Sequence, residues 1–192
     1  MSRTAIAGFC VLAWAVARAD ASELIVGSNT LQKIIGEQLF NNHGRWYLLE
    51  NGRCYAYLEN PHTRLKQGRL LLDAHLSARV GVDVGGNCLG SAFASNVTLS
   101  GRLVGKTSTL TLDDIRIDHV DDEGTREVFD LIQDAVPQAL PRVLKLDVLA
   151  AVRGTPISTA GVVVSVTQFR IIDVTTQSNN VVIHYDLSLS AP

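Results

Sequence analysis

Three short strings place chemistry-bearing residues close enough to act together. The first is Gly101-Arg102-Leu103-Val104-Gly105-Lys106-Thr107, which has part of a phosphate-loop pattern. In G-x-x-x-x-G-K-[S/T] the backbone N–H groups and a lysine cradle a phosphate at the start of a helix. Here the spacing is one residue short, and Ser100 stands where the first glycine is required. The residues after Thr107 alternate like a strand, so the string reads as a polar hairpin turn. The second string, Gly86-Asn87-Cys88-Leu89-Gly90, has the shape of a nucleophile elbow with cysteine for serine, with Asp173 and His184 as nominal partners. An elbow needs a following helix and a parallel sheet, and neither pattern is present. The third, Asp118-His119-Val120-Asp121-Asp122, sets one imidazole among carboxylates, the chemistry of metal ligation. No second histidine lies near it and the calcium-loop pattern is not met. Negative charge ahead of a helix N-terminus accounts for these acids more simply. His43, His62, His75 and His184 fall in turns or on the wet faces of strands and read as solvated. The residues therefore assign no catalytic group, metal ligand or cofactor, and the chain reads as a non-enzyme.

The compartment is more legible than the chemistry. Met1-Ser2-Arg3 is followed by a small, apolar run from Thr4 to Ala17, and Ala17-Arg18-Ala19 and Ala19-Asp20-Ala21 are two A-x-A sites. This is the pattern of a secretory signal peptide over 1–21, cleaved after Ala19 or Ala21. The run is too short to span a membrane. Phe9 precedes Cys10, where lipoprotein signals have a small residue, which argues against lipidation. Export to the periplasm makes the remaining pair, Cys54 and Cys88, a predicted disulfide worth about 3–4 kcal/mol through loop entropy.

Composition limits the partners. The chain has 192 residues, 46% hydrophobic and 19% charged, enough to bury a core and too apolar for disorder. Lys plus Arg is 17 and Asp plus Glu is 19, and aromatics are 6%, which argues against nucleic-acid binding. No second stretch is apolar enough to be transmembrane.

Residues 22–192 read as one α+β domain. Ser28 or Asn29 caps a helix over 29–41, with Asn29 and Gln32 imitating a capping box. Residues 69–84, RLLLDAHLSARVGVDV, carry apolar side chains at every even position from Leu70 to Val84. Strict alternation of this length predicts one long strand with a dry and a wet face, which must curve. Strands are also expected at 53–59, ending in an Asn60-Pro61 turn, and at 93–104. Another follows Gly105-Lys106, with a phase shift at Asp113-Asp114 that predicts a bulge. A helix over 125–151 has an apolar stripe and is bent by Pro137 and Pro141. Residues 161–174 and 180–189 form a hairpin. The predicted architecture is a long, strongly curved antiparallel sheet wrapped around a long Pro-bent helix, with a short N-terminal helix.

This order, and the strings LQKIIGEQL, RLLLDAHLSARV, TLTLDDIRIDHV and VFDLIQDAVPQALPRVL within about 31–150, resemble the YceB-like family of bacterial envelope proteins. That family in turn is similar to the TULIP (tubular lipid-binding) superfamily. The chain departs from it in lacking the lipoprotein cysteine of some members and in adding Cys54 and Cys88. The resemblance implies an apolar groove between sheet and helix that holds a lipid or fatty-acyl chain, and no enzymatic activity. Leu72, Leu76, Val80, Leu99, Leu131, Ile132, Ala135 and Val143 are the candidate lining. The alternative is an envelope interaction protein with a closed core, a protein partner and no ligand.

The exported protein is expected to begin at Asp20 or Ser22 with no lipid attached. N-terminal sequencing checks this, and an acylated Cys10 as first residue would overturn it.

Overall fold

A strand that alternates over sixteen residues needs hydrogen-bonding partners on both edges and a cover on its dry face. The computed structural model of the chain describes residues 22–51, 53–121, 133, 136, 140, 144–153, 158–159, 162–163 and 165–190. The proposed signal peptide lies outside them.

β1 (Ser22–Gly27) leads into α1 (Ser28–Leu39). There follow β2 (Arg45–Asn51), β3 (Cys54–Lys66), β4 (Arg69–Val84), β5 (Asn87–Lys106), β6 (Thr109–Val120), β7 (Lys145–Asp147) and α2 (Val148–Arg153). β8 (Ser158–Thr159) pairs with β9 (Val162–Val163), and β10 (Ser165–Thr176) pairs with β11 (Asn180–Ser190). Strands β2 to β7 form a six-stranded antiparallel sheet in chain order, curled into a half-barrel. β1, β11 and β10 form a second sheet of three strands. Among the described residues no helix is long and apolar enough to cross a membrane.

β4 occupies the predicted residues from end to end. Leu70, Leu72, Ala74, Leu76 and Ala78 are buried, and the intervening side chains are partly exposed. Each fully buried leucine contributes about 1.5–3 kcal/mol. Both ends of the strand close in two-residue turns, Gln67-Gly68 and Gly85-Gly86, whose four residues all have positive φ. That left-handed geometry matches the twist of the strands it joins. The bulge predicted in β6 is present: pairing with β5 slips between Ser100 and Arg102, and Asp114 has φ 49°. Arg69 and Arg116 both donate to the Asp114 carboxylate and hold the bulge.

Several elements differ from the sequence reading. Asn60-Pro61 is not a turn. β3 continues through it as a bulge, with Asn60 at φ 55° and the register slipping between Glu59 and His62. The Gln32 side chain makes this possible. Its amide nitrogen donates to the Pro61 carbonyl at 2.8 Å, and its oxygen accepts from the Thr63 N–H at 2.6 Å. Gln32 is therefore not half of a capping box. The helix N-cap is Gly27, with no side-chain cap, and Ser28 bonds to Asn179 instead.

The helix expected over 125–151 lies largely outside the described residues, and no long Pro-bent helix is seen within them. Val136 and Leu140 are helical and buried, and the Leu144 N–H donates to the Leu140 carbonyl at 2.9 Å. Beyond Leu144 the expectation is wrong. Lys145–Asp147 is strand, pairing with Thr109–Thr111, and α2 is a separate short helix. The outer edge of β6 offers unpaired backbone groups that a strand satisfies. Leu144, Leu146 and Val148 fit a period of two as well as a helical stripe.

One core joins these parts. Leu31, Ile35 and Leu39 of α1, spaced four apart, pack on the dry face of the half-barrel. Val26, Phe169, Ile171, Val181 and Ile183 of the three-stranded sheet complete it. α1 also ties two distant strands together, because Gln38 exchanges hydrogen bonds with the Lys145 backbone at 3.0 and 3.2 Å. β3 and β7 would lie about 19 Å apart in a flat sheet. Gln32 and Gln38 are only about 9 Å apart along the helix, so the double attachment fits the curl.

The tightest approach is at the pair Gly81↔Gly90 in β4 and β5. A Cβ on Gly81 would strike the Leu89 carbonyl, and one on Gly90 the Val80 carbonyl. Gly81→Ala is expected to cost about 2 kcal/mol or more. Gly36→Ala in α1, where a Cβ meets nothing, should stabilise by about 0.5–1 kcal/mol. Urea denaturation of the two variants checks both signs.

Candidate functional site

The candidate lining divides in two. Leu72, Leu76 and Leu99 are buried, and Val80 is half-buried. Leu131, Ile132, Ala135 and Val143 lie outside the described residues. Between α1 and the sheet, beside Leu72 and Leu99, the remaining space is about 10 Å³, bounded by Ile35, Leu39 and Leu144. A second space by Leu31 and Leu110 is also about 10 Å³. Each is near the size of one water, so an acyl chain fits at neither place without moving α1.

The apolar face of β4 runs on beyond this cover. Val82 is 67% exposed, Val84 54%, and Leu89, directly opposite Val82 on β5, 63%. This end is held in place by several bonds. The Asp83 carboxylate accepts from the Gly86 N–H at 3.0 Å and from the Arg53 N–H at 3.2 Å. The predicted Cys54–Cys88 disulfide is present, with Cα atoms 5.0 Å apart. By register alone, two strands across and three residues along, a flat sheet would separate them by about 14 Å. The bridge therefore requires the sheet to coil at Gly81–Gly90.

The disulfide also decides the elbow reading, because Cys88 presents no thiol to act as nucleophile. Asp173 and His184 do stand opposite one another, but on the three-stranded sheet, where His184 lies 3.5 Å from Glu23. The glycine-lysine string is the end of β5. At Gly105 the missing side chain makes room for Ile171 of β10, whose N–H donates to the Thr107 carbonyl at 2.7 Å.

His62 and His75, read singly as solvated, and His119 of the third string come together on the outer face of the half-barrel. His62, Asp73, Thr98 and His119 stand in one row across β3, β4, β5 and β6, each opposite the next. Beside it runs His75 opposite Asn96, with Asp121 next to them. Together they line a pocket of about 310 Å³. His75 Nδ1 is 3.1 Å from Asn96 Oδ1, Asn96 Nδ2 donates to Asp121 at 2.8 Å, and His119 Nε2 is 2.9 Å from Asp121. Among the described residues no group of three or more His, Cys, Asp or Glu side chains is placed to hold a metal. The sequence reading missed this pocket because His62 reaches it only through the slip at Asn60-Pro61. A register drawn across the four strands would have been the signal.

Asp73 anchors the row. Arg64 donates to it twice, at 2.6 and 2.8 Å, and Thr98 once at 2.8 Å. The Arg64 bonds chiefly, with Thr98, hold its carboxyl below the usual carboxylate range against the opposing effect of burial. Asp114 is lowered likewise, first by Arg69 and then by Arg116. A depressed native pKa gives stability that is complete above the unfolded value of about 4 and is lost as pH falls through the native one. Stability is expected to be level between about pH 7 and 5 and to fall below about pH 4. Asp73→Asn should lower it by about 1 kcal/mol at pH 7, since Arg64 is half-exposed and screened, and should flatten the acid limb. Urea midpoints across pH check both.

No protein-family model and no curated protein matches this chain.

Proposed function

We propose that the protein is a non-enzymatic, exported protein of the bacterial envelope that holds a lipid or other apolar ligand against the dry face of its curled sheet. The carrying observation is the apolar continuation of β4 and β5 past the core, through Val80 to Val82, Val84 and Leu89. An acyl chain laid there gains about 25 cal/mol for each Å² removed from water. Exposed Arg53, whose N–H bonds to Asp83 at this end, suits an anionic head group. The disulfide supports an oxidising compartment, as in the periplasm. The resemblance to the YceB-like and TULIP proteins supports the same reading. Leu72, Leu76 and Leu99 then form the closed inner end of the groove and Val80 its threshold.

The second reading, an envelope interaction protein with a closed core, is favoured by the spaces of about 10 Å³ beneath α1. Native mass spectrometry of protein purified from its own envelope separates the two. The lipid reading expects an adduct of lipid mass and uptake of a fluorescent fatty acid. Val82→Asp combined with Leu89→Asp should weaken that uptake about tenfold or more with little change in Tm, because both positions are exposed. No adduct and no uptake by the unaltered protein would leave the closed-core reading.

A further inference from the structure

The outer face carries a second, independent arrangement of groups. The pocket of about 310 Å³ has the volume of a small-ligand site, and its side chains are polar throughout. Ala74 and Val97, also at its wall, turn their side chains into the core and leave only backbone there. The apolar surface it exposes is therefore carbon of these polar side chains and of the backbone, with no aliphatic side chain for an acyl chain to lie on. Asp73 and Asp121 oppose a phosphate or carboxylate. Both are already partnered, Asp73 by Arg64 and Thr98 and Asp121 by Asn96 and His119, so neither offers an open charge to a cation. The groups alternate donor and acceptor on a rigid sheet, which suits an uncharged ligand with many hydroxyl groups.

Next to this pocket the same face is aromatic. Tyr57 lies opposite Ser77, two pairs along from Glu59↔His75 and so on the same face, and Tyr47 lies opposite Tyr57 on the other side. Three of the four tyrosines of the chain gather here. Ring centroids are 5.4 Å apart for Tyr47–Tyr57 and 5.4 Å for Tyr55–Tyr57, and Arg45 sits 4.4 Å over the Tyr57 ring. In the row beyond Tyr57 stand only Ser77 and Ala94, which leave a shallow shelf between the tyrosines and the pocket. A pyranose ring presents an apolar C–H face to aromatic rings and hydroxyl groups at its edge. An aromatic shelf leading to a polar pocket matches both parts of such a ligand.

We propose that the outer face of the six-stranded sheet binds an uncharged oligosaccharide. One sugar sits in the pocket at His75, Asn96 and Asp121, and the next ones run along the Tyr57 shelf. This site is on the opposite side of the sheet from the apolar continuation and does not depend on it.

The test is titration of the disulfide-bonded protein with maltohexaose, cellohexaose and chitohexaose, followed by calorimetry and saturation-transfer NMR. At least one hexaose should bind, with magnetisation passing from tyrosine protons to the sugar C–H groups. Asn96→Ala should weaken binding about tenfold or more, the loss of two hydrogen bonds at the pocket centre. Tyr57→Leu should weaken it less and abolish the tyrosine transfer. Thermal unfolding of each variant identifies any that fails to fold, and His75→Gln, a milder change, then stands in for it with the same expected direction. Absence of binding by all three sugars at about 10 mM, a concentration far above a millimolar Kd, would overturn the proposal. So would binding that folded Asn96→Ala leaves unchanged. Micromolar Zn²⁺ binding lost in His75→Ala, with no response to any hexaose, would also overturn it and assign the pocket to a metal.

Discussion

The unbroken pairing of β4 with β5, backed by β3 on its other edge, governs the rest of the structure. Fifteen consecutive β4 residues face β5 without a slip. Because side chains alternate strictly, this one register decides which groups enter the core and which form the outer surface. Leu72 and Leu76 are buried for the same reason that Asp73 and His75 face outward. A slip of one residue would turn five buried apolar side chains to water and drive Asp73 and His75 into the core. Register is thus protected by hydrophobic burial, and the outer polar pocket is positioned at no additional cost.

Curvature is the second consequence of so long a strand. A twisted sheet of this length cannot remain flat, and three local features direct its coil. Gly81 and Gly90 allow backbones to approach where any Cβ would collide. The Cys54–Cys88 bridge holds the end of the hairpin in its coiled form. The glutamines of α1 join the β3 bulge to β7 across the mouth. Each glutamine amide bonds to backbone groups of its strand, and at the partly buried β3 bulge Gln32 satisfies groups that the slip in register leaves unpaired.

The sequence made the regular parts legible and left the irregular ones hidden. β4 was readable to its last residue because sixteen alternating positions overdetermine a strand. The β6 bulge showed as a change of phase at Asp113-Asp114. β1 and β2 went unseen: short edge strands carry little periodic signal. Asn60-Pro61 has the composition of a turn, and what keeps it in a strand is Gln32, 28–29 residues away in the chain. The fate of Lys145–Asp147 was set by the free edge of β6, a tertiary fact. Of the candidate groove, the alternation correctly placed Leu72, Leu76 and Leu99 on the dry face. It could not show how closely α1 would approach them. The outer pocket was hidden for a different reason, since it exists only when four strands are set in register.

The two faces make different demands on one sheet. For the two proposed ligands, the dry face would be firm near α1 and open toward Val82 and Leu89, while the outer face would hold its rows of polar groups rigid. Both follow if the β4–β5 ladder is the most stable part of the molecule from Leu70 to Ala78 and loosens only beyond Gly81. Amide hydrogen exchange resolved by residue measures this directly. The account predicts that amides of Leu72 to Ala78 and of Val97 to Leu103 exchange slowest, through global unfolding. It predicts faster exchange for Val82 to Leu89, faster still once the Cys54–Cys88 bridge is reduced. Exchange from Leu72 to Ala78 as fast as at the hairpin end, in the oxidised protein, would contradict it.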